Sequence, residues 1–274
     1  MWHPAAVFSK TGFHAEDLPM PSFRLLAPAL FALALCGAPP AASAQSFTDT
    51  QRGDIETIVK NYLISHPEVL EEAMAELSKR QAAAETEKHE ASIAKDSETI
   101  FNSPRGVTLG NKDGDVTFVE FFDYNCGYCK RAMADMLDLM KTDPKLKVVL
   151  KEFPVLGPGS VEAAQVAVAA RMQDPSGKKY LDFHQKLLGG RGQADKAHAM
   201  AAAKDAGFDI ARIEKDLASP EVRATIEENF KLAEDMGMNG TPSYVIGKQV
   251  VVGAVGLDGL KEKIGIARCG KATC

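Results

Sequence analysis

The sequence predicts an α/β domain that is interrupted by a block of helices and preceded by a separate helical arm. Three observations lead there. Two runs rich in β-branched and aromatic residues, Val116–Phe122 and residues 147–153, flank a helix-periodic stretch at residues 132–141. A long helical region, residues 160–236, follows, punctuated near Pro175, Gly189 and Gly190, Gly207 and Pro220. Two short strands around Gly247 and Lys248, Ser243–Ile246 and Gln249–Val252, then lead into a closing helix at residues 257–267. The order is β-α-β, helices, β-β-α, one α/β domain with a helical insertion. Hydrophobic residues make up 45% and charged residues 25% of the 274, ordinary globular usage. The net charge of -5 argues against a nucleic-acid partner, which calls for a basic face.

The chain is expected to open with an export signal. Residues 25–36 are uncharged and apolar, too short for a bilayer span of roughly 20 residues. Arg24 precedes them, and Ala42, Ser43 and Ala44 form a small-residue cleavage site. Residues 1–44 are therefore read as a signal peptide with an N-terminal extension, and the location as periplasmic. Lipid anchoring through Cys36 is disfavoured, because Leu35 stands where a small residue is expected. Cleavage would remove one of five cysteines and the single tryptophan. Four cysteines in an exported chain suit two disulfides.

Residues 45–102 are read as a helical arm and linker. Ile55, Ile58, Val59, Tyr62 and Leu63 form an amphipathic stripe. Ser65, His66, Pro67 and Glu68 read as a capping box that starts a second helix, with Val69, Leu70, Ala73, Met74 and Leu77 on its apolar face. That helix, or a helix and a loose linker, continues to about Ile100. So little apolar surface forms no core of its own. Self-association into a dimer or trimer through residues 45–100 is the expectation, and folding back on the main domain is the alternative.

The main domain spans residues 103–268, with the helical insertion at about 160–236. Its chemistry centres on Cys126, Gly127, Tyr128 and Cys129. A CxxC between a strand and a helix is the context of a redox pair, since two intervening residues place both thiols on one turn. Cys126 falls at the helix N-terminus, where free N–H groups and the dipole favour a thiolate. Cys129 lies one turn in and would resolve the mixed disulfide formed on Cys126. A zinc site built with Cys269 and Cys274 is disfavoured by the long separation and the CxxxxC spacing, and a purely structural disulfide is the other alternative. Met133, Met136 and Met140 form a helical stripe read as core packing. Cys269 and Cys274, in the tail at residues 269–274, read as a small disulfide loop, or else as a second redox pair or a tether.

The run FFDYNCGYCK at residues 121–130 resembles the active-site segment of the DsbA-like family of thioredoxin-fold thiol:disulfide oxidoreductases. FPVLGP at residues 153–158 and the inserted helices are similar to features of that family. Residues 61–63 and 66–70 resemble the oligomerising region of ScsC-type proteins. The resemblance implies a thioredoxin fold over about residues 106–267 and no metal or organic cofactor. It implies as partners unfolded or misoxidised exported proteins and a membrane redox protein. Thr241 and Pro242 match the family's cis-proline loop, which implies substrate pairing along the Thr241 backbone; an ordinary turn is the alternative. Glu120 matches the family's buried acid, which implies a proton acceptor for Cys129; a core carboxylate paired with Lys151 is the alternative.

The dipeptide departs from the strongest oxidases of the group, which carry Pro-His where this chain has Gly127 and Tyr128. Without that histidine the disulfide should be less oxidising. Gly-Tyr, together with threonine before the proline, is similar to DsbC-type isomerases. The expected function is a periplasmic thiol-disulfide oxidoreductase of isomerase or reductase character. A DsbA-like dithiol oxidase is the second reading, and an oligomeric chaperone or metal-handling protein is a reading of another class.

Overall fold

The computed structural model describes residues 47–274. The expected signal segment, Cys36 included, lies outside the described residues. By their contacts the residues divide after Tyr62 into two compact units.

The first unit holds most of helix α1 (Asp49–Ser65). A capping box starts it: Gln51 N–H donates to Thr48 Oγ1 at 3.3 Å, and Thr48 N–H donates back to Gln51 Oε1 at 2.9 Å. The apolar stripe of Ile55, Ile58, Val59 and Tyr62 is exposed along it.

The second unit, Leu63–Cys274, begins with the last turn of α1 and helix α2 (Glu68–Lys95). The capping box expected at Ser65 to Glu68 is not formed. Ser65 closes α1, and Pro67 precedes α2 at φ -64 with no side-chain cap bond. The proline ring already supplies a helical φ, and the Glu68 carboxylate is engaged by His66 Nδ1 at 3.1 Å. Leu70, Met74 and Leu77 are exposed along α2, whereas Ile93 near its end is buried. Short helix α3 (Ser97–Phe101) follows and buries Ile100.

Five strands form one sheet in the order β1-β3-β2-β4-β5. They are β1 (Val107–Gly110), β2 (Val116–Phe122), β3 (Leu146–Glu152), β4 (Ser243–Ile246) and β5 (Gln249–Val252). The sequence pattern does not predict the first strand; its four residues follow Gly106, end on Gly110 and pair antiparallel with β3. Helix α4 (Gly127–Thr142) connects β2 to its parallel neighbour β3. The inserted block resolves into α5 (Pro158–Arg171), α6 (Lys178–Leu188), α7 (Lys196–Asp205), α8 (Ile210–Asp216) and α9 (Pro220–Asp235). Helix α10 (Gly256–Cys269) closes the chain.

Period-two alternation splits the strands between two cores. Phe118, Phe122, Val148 and Leu150 face one core with residues of α4, α5, α6 and α10. Val119, Phe121, Val149 and Val245 face the other, with Ile93, Ile100, Leu232 and Met238. Alanines on α5 and α7 are buried against one another, side chains small enough for the two axes to approach closely.

Behind the end of β3 lies a buried polar cluster. Tyr124 and Tyr180 hydroxyls donate to Glu152 Oε1, the former at 3.4 Å, and His184 Nδ1 lies 3.5 Å from the Tyr124 hydroxyl. Burial pushes the Glu152 carboxyl up to about 8 and His184 down to about 3, so both are neutral at pH 7. The folded carboxyl thus keeps a proton that the unfolded one loses near its ordinary value. Its contribution to stability is whole below about pH 4.5 and drains away as pH rises through about 8. Thermal melts should show Glu152→Gln close to wild type at pH 5 and more stable than wild type by about 2–4 kcal/mol at pH 9. Equal melting differences at both pH values would refute the assignment.

Candidate functional site

The site grows from the end of β2. Phe122 is the last strand residue, and an Asx turn follows in which Asn125 N–H donates to Asp123 Oδ1 at 2.8 Å. Cys126 then adopts an extended backbone as the N-cap of α4, and its sulfur accepts the N–H of Cys129 at 3.3 Å. A thiol takes here the place of the serine or aspartate oxygen usual at a helix start. Cys126 is 5% exposed and Cys129 is fully buried. From the other side, the Cys126 thiol donates to the carbonyl of Thr241 at 3.2 Å. The peptide bond between Thr241 and Pro242 is cis.

These contacts separate the two thiols electrostatically. A hydrogen bond from the Cys129 side chain is the main cause that lowers Cys126 from the ordinary 9 to about 5. Burial opposes this, and the Thr241 side chain with the N–H groups of Cys129 and Tyr128 supports it. Cys129 moves the other way, held protonated by its bond to Cys126 and by burial. One sulfur is a ready nucleophile at neutral pH and its neighbour is a stored thiol.

Glu120 is buried on β2, and burial, with the Cys126 thiolate and Asp135 adding to it, raises its carboxyl to about 8. The alternative pairing with Lys151 does not occur. Glu120 stands opposite Leu150 in the register, so Lys151, one residue on, points to the other face. Lys151 Nζ instead donates to the Thr99 carbonyl at 3.1 Å and lies 3.8 Å from Glu228.

Gly127 and Tyr128 open α4. A Cβ at Gly127 would meet nothing within 4 Å, so the space beside Cys126 is open. Tyr128 is 59% exposed, with the Arg131 guanidinium 4.3 Å above its ring. Met136 is in the core and Met133 and Met140 pack against it. Cys269 and Cys274 are joined as a disulfide at the end of α10. It adjoins Leu139, Thr142 and Asp143 at the C-terminal end of α4, a helix about 24 Å long, so the structure does not bring it to Cys126.

Asp123 and Asn125 carry contacts that the sequence reading missed. The buried Asp123 carboxylate accepts from Asn125 N–H, from Leu156 N–H at 2.9 Å and from Ser160 Oγ at 2.7 Å. Their signal was the pair of Asx residues ahead of a helix, a pattern that announces a turn but not its partners. Among the described residues, no group of three or more His, Cys, Asp or Glu is arranged to hold a metal ion, and no helix is long and apolar enough to cross a membrane.

The chain is similar to several known proteins. Residues 51–84 match the N-terminal domain of copper resistance protein ScsC. A thioredoxin-like oxidoreductase from Silicibacter pomeroyi is 43% identical and superposes with a TM-score of 0.59, covering 62% of this chain and 96% of that one. A linker-deletion mutant of Proteus mirabilis ScsC is 27% identical with a TM-score of 0.60, covering 82% of this chain and 98% of its own. The Na(+)/H(+) antiporter NhaA of Herminiimonas arsenicoxydans is 28% identical over 140 residues, which is 50% of this chain; the chain spans only 21% of the antiporter's length. Residues 117–265, more than half of the sequence and running from β2 into α10, match the DSBA-like thioredoxin domain, and the protein belongs to that family.

Proposed function

We propose that this protein exchanges disulfides with exported proteins in the periplasm, as an isomerase or reductase more than as a one-way oxidase. The observation that carries this is the Cys126 sulfur at the N-cap of α4, accepting the Cys129 N–H at 3.3 Å with the Cys129 thiol buried behind it, a setting that lowers Cys126 to about 5.

Exchange begins when the Cys126 thiolate attacks one sulfur of a substrate disulfide. That S–S bond breaks, a mixed disulfide forms, and the second substrate cysteine leaves as a thiolate. If another substrate thiolate attacks the mixed disulfide, Cys126 is released and the substrate is isomerised with no net electron transfer. If Cys129 attacks Cys126 instead, the substrate leaves reduced, and two electrons have moved to it from the enzyme pair. Cys129 must lose its proton for this step. Glu120 is the acceptor: in the mixed disulfide the Cys126 charge that helps to hold Glu120 protonated is gone, so its carboxylate forms more readily. The Thr241 backbone, in contact with Cys126, is the position at which a substrate strand would align.

The strength of thiolate stabilisation supports this direction. A value of about 5 for Cys126 falls between thioredoxin, about 7, and DsbA, about 3.5. The more the reduced form is stabilised, the more oxidising the disulfide. An intermediate poise suits a protein that must be reduced to act and that a membrane dithiol partner returns to that state. The exposed apolar faces of α1 and of the first half of α2 support self-association through the arm, as does its match to the ScsC N-terminal domain. Export is supported by the expected signal and by a Salmonella enterica relative described as a periplasmic thioredoxin-like protein, 29% identical.

Four measurements test this function. Iodoacetamide should alkylate Cys126 at a rate that rises through about pH 5 and is level above pH 7. Cys126→Ser should reduce refolding of scrambled ribonuclease to background; a pH midpoint near 9, or activity that survives the substitution, would refute the catalytic claim. Glu120→Gln should leave alkylation unchanged while release of the mixed disulfide by Cys129 slows about 10²-fold at pH 7; unchanged release would remove Glu120 from the mechanism. Deleting residues 45–84, which spares buried Ile93, should convert an oligomer to a monomer in light scattering, and a monomer in both forms would refute the arm's role.

A further inference from the structure

Asn125, immediately before Cys126, has a side chain that reaches away from its own turn. Its Nδ2 donates to the Ala194 carbonyl at 2.9 Å, and its Oδ1 accepts the Ala194 N–H at 2.7 Å. This reciprocal pair imitates a rung of β-ladder between a side chain and a backbone 69 residues distant. Because a backbone N–H can only donate, the amide orientation is determined. Nδ2 donates as well to Ser160 Oγ at 2.9 Å, and the Ser160 hydroxyl donates in turn to Asp123 Oδ1. Asn125 thereby uses both donors and an acceptor. Ser160 and Ala194 are buried, so water does not readily replace these bonds.

The other flank of the thiol pair is tied to the same loop. Lys130, next after Cys129, donates through Nζ to the Gly190 carbonyl at 2.8 Å. The residues before and after the pair are therefore both fastened to the α6–α7 connection of the helical insertion.

We propose that Asn125 is a positioning residue, whose two-bond latch to Ala194 holds the loop of Cys126 so that its sulfur stays within reach of the Cys129 N–H and Thr241. The proposal rests on the exchange role assigned to Cys126. Asn125 is neutral, so it acts through placement and not through its own field. The N–H contact from Cys129 that it secures is directional, at 3.3 Å, and weakens steeply when a loop drifts. The helical insertion then serves the chemistry directly as the fixed wall against which the thiolate loop is braced.

The test is Asn125→Ala in the otherwise native protein, read by thiolate absorbance against pH, by equilibrium with glutathione buffers and by thermal melting. The latch predicts a Cys126 pKa raised by about one unit. The glutathione equilibrium should move tenfold toward the disulfide, about 30 mV more negative. Ser160→Ala, which removes one of the three bonds and leaves the Ala194 pair, should shift both quantities the same way by less, and it serves if the first variant does not fold. A lower melting temperature with unchanged pKa and potential would overturn the proposal and leave Asn125 a structural residue. A wild-type Cys126 that titrates as an ordinary thiol would overturn the exchange role itself, and the latch with it.

Discussion

A negative charge on one sulfur is the constraint around which the rest is arranged. A thiolate in a largely buried position is costly unless donors reach it. The donors here come from segments far apart in sequence: the first turn of α4 supplies N–H groups, and the loop before β4 supplies the Thr241 side chain. Their meeting depends on β4 lying antiparallel beside β2, with Phe121 opposite Ser243. That register in turn depends on the division of strand side chains between two cores, since a shift by one residue would turn Phe118 and Phe122 out of their core and bring Glu120 to the other face. Hydrophobic alternation along β2 and β4 thus decides where a charge can exist at the end of the sheet.

Glu120 illustrates the coupling. It occupies a core position because the charge it would carry is displaced by a proton at neutral pH, and part of the cause is the Cys126 thiolate itself. The two groups compete for ionisation, so the charge on Cys126 bears on the protonation of the carboxyl.

Much of this was legible in the chain. The boundaries of β2, β4 and β5 follow from their β-branched and aromatic runs and from the glycine between the last two, which has a positive φ. The insertion's helices break where glycine and proline stand. The position of Cys126 at a helix start follows from its place between an apolar strand and an amphipathic stretch. Other features needed the third dimension. Strand β1 has four residues and gains its identity only by pairing with β3. A choice between Glu120 with Lys151 and Glu120 alone needs the register, which no local pattern contains. The roles of Asp123 and Asn125 rest on Leu156, Ser160 and Ala194, partners that a reading of spacing has no means to select. The box at Thr48 and Gln51 has its signature in the sequence, whereas at Ser65 to Glu68 the proline already supplies the helical φ and no side-chain cap forms.

The tail disulfide gains meaning from its location. A protein with a standing thiolate is a hazard to every disulfide within its reach, its own included. Cys269 and Cys274 are separated by five positions in sequence, so they find each other at low loop-closure cost. They then sit at the end of α4 opposite the nucleophile, a distance set by the rigid rise of that helix. Within one chain the length of α4 keeps the reagent away from the vulnerable bond.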